Sequence, residues 1–383
     1  LQWRLNVNCA IVTTAHDSFN AWRTRRGEDT TDAFPPRAQV GQFLADTWSA
    51  AVRRAPSHVR IRHLPHRVTA VSADGEGFMV DGSPFDEVLV CTGHDHLHAG
   101  SLVHEASRVP VTGLYFGADL PSSARRIGVR GAALSFIDVC LLYGDTAETI
   151  YPVSRSGRFM EVKPSPETPL PEVSPRWRQA CAHIDNAAEL REILIGAAGE
   201  FGDFSTADLA SVIDGQDFTG DAVAELEASL RAAEGTGPLT PAAAVGAAFR
   251  GVFQECVDWH KVHGPMPGFR ELSRTLERVA FGPPPVTARR LLELIHSGVV
   301  NTDYLGMPGQ IDSWREKGGV DLLIDATVAP QATPSPFHDV PGVVEIGRMN
   351  ELSLPGHDSL NRSVHDLSLI HISEPTRRYA YLV

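Results

Sequence analysis

The stretch Arg126–Val139, RIGVRGAALSFIDV, decides the fold of this chain. Its first half has the pattern of a buried β-strand, and its second half has the apolar spacing of a helix. A single glycine, Gly131, separates the two. A dinucleotide-binding turn needs a strand, a tight turn whose backbone can approach a pyrophosphate, and a helix N-terminus aimed at that group. The stretch fits this description, and it also fits a plain strand-to-helix corner.

Within the turn, Gly131 holds the first glycine position of a dinucleotide fingerprint, Ala133 the second and Phe136 the third. Alanine permits the turn at some loss of close approach, whereas phenylalanine is unexpected where a helix packs tightly against a strand. Ser135 falls in the first turn of the predicted helix. Gly131, Ala133 and Ser135 are therefore candidate cofactor contacts.

A second strand ends in VSRSGR about 20 residues after the turn, where dinucleotide sites recognise the adenosine ribose. An NAD site places an acid there, whereas an NADP site offers Arg and Ser to the 2′-phosphate. The segment contains no acid and presents Ser154, Arg155 and Arg158. The pattern favours NADP, with NAD as the alternative. A solvated basic loop is the other interpretation of these residues.

Composition narrows the class of protein. The 383 residues carry a formal net charge of -13 and are 43% hydrophobic. An acidic chain without a Lys/Arg block is a poor nucleic-acid binder. The chain lacks the apolar run of about 18 residues that a membrane span needs. Its five cysteines are scattered and form no CxxC pair, so we expect a reduced, cytoplasmic protein without a disulfide framework.

Two other segments, DEVLVCTG and DLLIDAT, are continuous apolar runs, which is typical of strands covered on both faces. They end at Thr92-Gly93 and around Asp325. Residues 166–315, in contrast, are rich in Ala, Leu, Glu and Arg at helical spacing and predict a helical insert. We therefore expect an α/β protein of two or three domains.

The order of seven segments resembles one family. LNVN, FPPRAQVGQFL, VLVCTGH, VRGAALSFIDV, SRSGR, DLLIDAT and GRMNELSLPGHDSLNRSVHD together resemble the bacterial FAD-NAD(P)-binding oxidoreductases, which are distantly similar to flavin N-hydroxylases. The resemblance covers most of residues 4–366 and implies an α/β, two-Rossmann flavoprotein architecture with FAD and NADP as cofactors. Family members begin with a GxGxxG-containing βαβ half, and we expect that about 40 to 50 residues of this kind are missing here.

The resemblance also implies a domain organisation. Residues 1–105 plus 316–366 are predicted to form an incomplete FAD-binding domain, and residues 106–165 an NAD(P)-binding core followed by the helical insert at 166–315. Residues 367–383 contain LSLIHISEPTR, which resembles a translated sequencing adapter. We expect this tail to be an artefact and leave it out of the predicted fold.

Several residues acquire candidate roles from the resemblance. The LNVN segment is implied to lie against the flavin, and the strand ending at Thr92-Gly93 beside the FAD pyrophosphate. The implied cofactor contacts are Asn6, Asn8, Arg37, Thr92, Gly93, His94 and Asp325, with Asn361 and Arg362 closing over the site. Turn asparagines that satisfy their own backbone are the alternative for Asn6 and Asn8. No catalytic side chain is assigned, because the flavin carries the chemistry in such proteins.

The implied function is transfer of hydride from NADPH to FAD and then to oxygen or an organic acceptor, with a small-molecule substrate. A monooxygenase-like outcome is an analogy with related families. One alternative is a non-catalytic dinucleotide sensor or docking protein. Another is a metal-dependent hydrolase using His94, His96 and His98, which alternate along an extended segment. No distant cluster completes that shell, so no metal is assigned, and the absence of GxSxG disfavours a serine hydrolase. The sequence does not indicate the oligomeric state.

Overall fold

The computed structural model describes residues 3–14, 17–75, 77–91, 100–115, 120–327, 337, 340–345 and 379–382. The chain divides into two compact units. The first unit comprises Leu1–Val7 and Ala99–Val328, and the second unit comprises Asn8–His98 and Ala329–Val383.

The strands, in chain order, are β1 (Val71–Asp74), β2 (Gly77–Val80), β3 (Ser83–Phe85), β4 (Glu87–Val90), β5 (Val111–Gly113), β6 (Arg126–Arg130), β7 (Thr149–Val153), β8 (Leu322–Asp325), β9 (Val344–Glu345) and β10 (Tyr379–Leu382). The α-helices are α1 (Phe19–Arg25), α2 (Arg37–Arg54), α3 (Leu134–Tyr143), α4 (Pro175–Cys181), α5 (Ala187–Gly199), α6 (Thr206–Ile213), α7 (Ala222–Ala233), α8 (Pro241–His263), α9 (Phe269–Ala280), α10 (Pro285–His296) and α11 (Gln310–Lys317). Among the described residues, none of these helices combines the length and the apolarity that crossing a bilayer requires.

A parallel sheet forms the centre of the first unit. Its strand order is β5-β8-β6-β7, and every neighbouring pair is parallel. In the central strands, Ile127, Val129, Leu323 and Ile324 are fully buried. Their continuous apolar sequences reflect strands that are covered on both faces. The predicted α/β fold is confirmed.

Helix α3 makes the crossover from β6 to β7, as the sequence predicted. Its buried face, with Phe136 and Val139, joins the core on the sheet. Helices α7 and α10 share this core through residues such as Leu226 and Leu291. Part of the predicted helical insert therefore covers the dinucleotide-type sheet.

The other helices of residues 175–317 form a second core, made mainly by α4, α5, α6, α8 and α9. Local sequence signals set their ends. Ser205 caps α6 and Thr240 caps α8 through side-chain bonds to backbone N–H groups, and α8 begins with a proline at its first position. These are ordinary start signals, because a cap satisfies an otherwise unpaired N–H and proline has none to satisfy.

One predicted grouping differs from the structure. The segment 316–366 was expected to return to a domain with residues 1–105, yet β8 lies between β5 and β6 in the sheet of the first unit. Position in the chain does not determine which sheet a strand joins. All four residues of β8 are buried, which suits a central strand because a central strand is covered on both faces.

The second unit contains α1, α2 and two small sheets. Strands β1, β2 and β3 form the predicted antiparallel meander. Strand β4 pairs in parallel with β9 and with β10. The pairing of β10 involves residues 379–382, which lie in the stretch predicted to be an artefactual tail.

Candidate functional site

The Gly131 turn lies at the carboxyl edge of the parallel sheet, at a point where the order of the strands along the chain reverses. From β6 the chain passes through α3 to β7 on one side, whereas β8 flanks β6 on the other side. In open α/β sheets, ligands bind in the crevice outside the carboxyl ends of the strands at such a switch point. The structure thus places the turn predicted from the sequence at the position where this architecture offers a ligand site.

Gly131 has a backbone conformation that requires glycine. Its φ is +120°, and its N–H donates to the carbonyl of Val153 at 2.8 Å. A Cβ at this position would lie 3.2 Å from the carbonyl oxygen of Ala326, just beyond β8. Because L-residues rarely adopt this φ, the turn depends on glycine for conformation as well as for space.

The N-terminus of α3 carries no side-chain cap. Its N-cap residue is Ala133, and no acidic residue occurs in the first turn, where Ser135 is half-buried. In α7, by comparison, Asp221 accepts hydrogen bonds from two backbone N–H groups. Uncapped N–H groups together with the helix dipole favour an anion at this end. The end of α3 therefore suits a pyrophosphate.

The loop after β7 presents one of its two arginines to solvent. Arg155 is exposed. The hydroxyl of Ser154 accepts a bond from the N–H of Gly157 at 3.1 Å and lies 3.3 Å from the Leu305 carbonyl. Ser154 therefore shapes the loop, and Arg155 is the residue of this loop with a charge directed to solvent.

Arg158 has a different environment. It is buried, and its Nη2 donates to Asp217 at 2.8 Å while its Nε donates to Glu225 at 3.1 Å. Arg278 also contacts Asp217, at 3.4 Å. The predicted role of Arg158 as a phosphate contact is not supported by this geometry, because the carboxylates already bind its guanidinium.

The buried network shifts the acids in opposite directions. Burial raises the pKa of Glu161, and its neighbours Ser229, Arg278 and Arg158 only partly oppose that effect. For Asp217, burial alone would also raise the pKa, but the hydrogen bond from Arg158 and the charges of Arg278 and Arg158 bring it below the ordinary value. The network is thus a charged internal link between the loop after β7 and the helical region.

Asp325 at the end of β8 organises the same edge of the sheet. Its Oδ2 accepts from the N–H of Leu102 at 2.8 Å and lies 3.4 Å from Nη1 of Arg130. Its Oδ1 accepts from the N–H and the hydroxyl of Thr327, at 3.2 and 2.6 Å. The carboxylate predicted as a cofactor contact therefore satisfies internal donors and fixes the segment around Leu102.

A cluster that the sequence did not reveal lies on α3. Trp3 donates from its indole nitrogen to the carbonyl of Asp138 at 3.2 Å, and its ring meets that of Tyr115 edge to face at 5.4 Å. The Tyr115 hydroxyl bonds to the buried carboxylate of Asp138. These residues lie 23 or more positions apart in the chain, so no local spacing indicated their contact.

The residues implied to contact FAD have separate surroundings. Asn6 belongs to the first unit, where its carbonyl accepts from Nζ of Lys163. Asn8 belongs to the second unit, and its side chain accepts from the N–H of Ala10 at 2.9 Å, capping a 3-10 helix at Cys9–Ile11. Arg37 is the first residue of α2. The local bond of Asn8 is the backbone-satisfying role considered as its alternative.

Several predicted site residues lie outside the described residues: Thr92, Gly93, His94, His96, His98, Asn361 and Arg362. Within the described part of the chain, no group of three His, Cys, Asp or Glu side chains could hold a metal ion. The five cysteines are free thiols.

Comparison with known proteins finds a family match over the N-terminal part of the chain. Residues 2–95 match the family model described as FAD-NAD(P)-binding. The resemblance stated from the sequence motifs is therefore confirmed over these residues. No curated protein matches the chain.

Among solved structures, one match is bacillithiol disulfide reductase from Bacillus cereus, with 24% identity and a TM-score of 0.23. The match covers 37% of this chain and 42% of the reductase, so the chain spans less than half the length of that protein. A TM-score this low supports no conclusion about the overall fold.

Proposed function

We propose that this chain is an FAD-dependent oxidoreductase that takes hydride from NADPH bound at the Gly131 turn. The observation that carries the proposal is the turn itself, a positive-φ glycine between a buried parallel strand and an uncapped helix at the switch point of the sheet. The family match at residues 2–95 supports the flavin part. The nicotinamide part has separate support from the sheet.

The residues of the first unit would divide the dinucleotide between them. The backbone N–H groups at the start of α3, near Ala133 and Ser135, would bind the pyrophosphate. Arg155, exposed at the end of β7, would bind the 2′-phosphate, since a guanidinium makes paired hydrogen bonds to phosphate oxygens. NADPH is thus preferred to NADH in this proposal, because no acid stands at the end of β7 to bind a 2′-hydroxyl.

A flavin bound to the protein would supply the redox chemistry between the reduced nicotinamide and oxygen or an organic acceptor. Transfer to oxygen followed by hydroxylation is the monooxygenase-like form of the reaction. The protein's task is to hold and orient the two cofactors. Asn6, Asn8, Arg37 and the segment Thr92–His94 are the candidate flavin contacts carried over from the family resemblance.

The central experiment compares Gly131→Ala with Gly113→Ala in the flavin-loaded protein. Both glycines lie at carboxyl ends of strands, but a Cβ at Gly113 meets no atom of the described residues within 4 Å and that glycine does not have a positive φ. We expect Gly131→Ala to weaken NADPH binding by about 10-fold or more, which corresponds to about 1.4 kcal/mol. Gly113→Ala should leave binding unchanged. Binding is measured by titration, and hydride transfer by anaerobic bleaching of flavin absorbance.

The outcomes separate the proposal from its alternatives. If NADPH reduces the flavin of the Gly131→Ala variant as fast as that of the unmodified protein, the nicotinamide dinucleotide binds elsewhere. A flavin-free protein that binds NADPH without turnover would instead support a dinucleotide sensor.

A second experiment addresses the choice of nicotinamide dinucleotide. Arg155→Gln should raise the KM for NADPH by about 10- to 100-fold, the value of a charged hydrogen bond of about 1.5–3 kcal/mol, and leave the KM for NADH unchanged. Arg178→Gln, on the exposed surface of α4, is the matched control. Equal increases in the KM for NADPH and for NADH would show that Arg155 does not bind the 2′-phosphate.

A further inference from the structure

Lys163 lies in the segment between β7 and α4 and is half-buried in the first unit. Its Nζ donates to the carbonyl of Asn6, and its backbone N–H donates to the carbonyl of Pro283 at 2.8 Å. No carboxylate of the described residues pairs with this ammonium. An ammonium has three N–H donors, so the Asn6 carbonyl satisfies only one of them.

Arg250 on α8 is a second cation with unused donors. Its Nη1 donates to the carbonyl of Ala280, the last residue of α9, at 2.9 Å. Its Nε is buried and has no acceptor among the described residues. The side chain is held in place where α8 crosses α9 closely, since a Cβ at Gly246 would lie 2.2 Å from the Val279 carbonyl and 3.3 Å from Nη1 of Arg250. The Nε edge of a fixed guanidinium is thus left without a partner in the described chain.

The two residues bind the same short segment at the end of α9, since the Lys163 N–H donates to Pro283 and Arg250 donates to the Ala280 carbonyl. Burial lowers the pKa of Lys163 to about 8, and the nearby charge of Arg250 contributes to this decrease. Burial also lowers the pKa of Arg250 to about 10. A pair of partly desolvated like charges without a counter-charge is unfavourable, and an anion between them would remove that cost.

The same unit shows how it neutralises such a pair elsewhere. Arg158 and Arg278 are also neighbouring guanidinium groups, but Asp217 binds both and Glu225 binds Arg158. Lys163 and Arg250 have no such carboxylate among the described residues. Arg158 and Arg278 thus form an internal ionic link, whereas Lys163 and Arg250 are left able to bind an anion from outside the chain.

We propose that Lys163 and Arg250 form a binding site for the oxyanion group, carboxylate or phosphate, of a small-molecule ligand. The Nε edge of Arg250 would donate to the oxyanion, and the remaining N–H donors of Lys163 would complete the contact. Paired donation from a guanidinium to a carboxylate or phosphate is among the stronger charge-assisted interactions in proteins. The proposed site uses no residue of the Gly131 turn and does not include Arg155.

The test uses the full chain with inorganic phosphate and, in a second arm, with acetate, both at constant ionic strength. Binding is measured by calorimetry and by the shift in melting temperature. We expect Lys163→Gln and Arg250→Gln each to weaken binding by at least about 10-fold, as expected for loss of one charged hydrogen bond. Lys163→Arg, which keeps the charge, should retain binding and shows that a change at this position is compatible with folding.

Two controls locate the effect. Lys317→Gln, at the exposed end of α11, should bind both anions like the unmodified chain. Arg178→Gln, on the exposed surface of α4, should also bind them normally, because it belongs to neither proposed site. A response to phosphate alone assigns a phosphate-bearing ligand, and a response to acetate alone assigns a carboxylate. If neither anion binds, or if binding survives in both glutamine variants, the proposal is wrong.

Discussion

Arg155 and Arg158 stand three residues apart in the sequence SRSGR, and the structure gives them opposite surroundings. Arg158 is buried among Asp217 and Glu225. We expect Arg158→Gln to lower the free energy of unfolding by about 3–5 kcal/mol, because it leaves buried carboxylates without their cation. The matched control is Arg191→Gln, which breaks a more exposed pair with Asp214 and should cost no more than about 1 kcal/mol. Urea unfolding measures both, and similar small losses would show that the buried network does not stabilise the fold.

Lys163 gives a pH-dependent prediction. Its pKa is lowered from 10.5 to about 8 by burial and by the charge of Arg250. The unfolded chain therefore binds more protons than the folded chain between these pKa values, so the contribution of Lys163 to stability rises with pH over this range. In anion-free buffer, the unmodified chain should gain about 2 kcal/mol relative to Lys163→Gln between about pH 8 and pH 10, since one pKa unit corresponds to about 1.4 kcal/mol. Unfolding curves at the two pH values that change in parallel for both proteins would contradict this.

At the scale of single residues, the sequence predicted backbone conformation better than it predicted which side chains form ion pairs. The positive φ of Gly131 follows from the strand, turn and helix pattern around it. Nothing near Arg158 distinguishes it from Arg155, because its partner Asp217 lies 59 residues further along. The sequence likewise does not show that Lys163 and Arg250 lack a carboxylate partner among the described residues. Contacts over such separations depend on tertiary packing, which local patterns do not encode.

Packing between elements is close where β6 meets α11. A Cβ at Gly128 would lie 2.8 Å from two ring atoms of Trp314 and 3.2 Å from Leu323. We expect Gly128→Ala to destabilise the first unit by about 1–3 kcal/mol through overpacking. Gly113→Ala in β5, where a Cβ meets no atom within 4 Å in the described part of the chain, should change stability by less than about 0.5 kcal/mol. Equal melting temperatures for the two variants would mean that Trp314 moves aside at no cost.

Two glycines within helices, Gly246 and Gly41, are expected to change the stability in opposite directions when they are replaced by alanine. Gly246→Ala would force a Cβ to within 2.2 Å of the Val279 carbonyl, where α8 crosses α9, and should destabilise by about 1–3 kcal/mol. At Gly41 on α2, a Cβ meets none of the described atoms within 4 Å, so Gly41→Ala should stabilise by about 0.5–1 kcal/mol, because alanine is more favourable than glycine in a helix interior. Thermal unfolding of the two variants distinguishes close helix packing from helix propensity.

The elements themselves were largely predictable. The β6, α3 and β7 sequence was expected from its periodicity, as were the meander of β1 to β3 and the helices of residues 166–315. Two features were not. Strand β8 joined the sheet of the first unit, and α7 and α10 joined its core, because an apolar face does not specify which surface will bury it.

At the scale of the whole molecule, residues 3–7 belong to the first unit, although most of that unit begins only at Ala99. Trp3 packs on α3 and Tyr115 within the first unit. We expect Trp3→Ala to lower the free energy of unfolding by about 1–3 kcal/mol, from loss of partly buried aromatic surface and one hydrogen bond. Trp48→Ala is the matched control, since this ring is 54% exposed on α2 and its loss should cost less than about 0.5 kcal/mol. Equal effects in urea unfolding would show that the Trp3 contact contributes nothing.

The central position of β8 has a consequence for biosynthesis. Strands β5 and β6 do not pair with each other, since β8 lies between them and bonds to both. Roughly 190 residues separate the end of β6 from the start of β8, so at about 5–20 residues per second the ribosome needs about 10–40 s to deliver the missing strand. During that interval one edge of β6 is an open template for pairing with another chain. The nascent protein is therefore expected to depend on chaperones until Asp325 has left the ribosome.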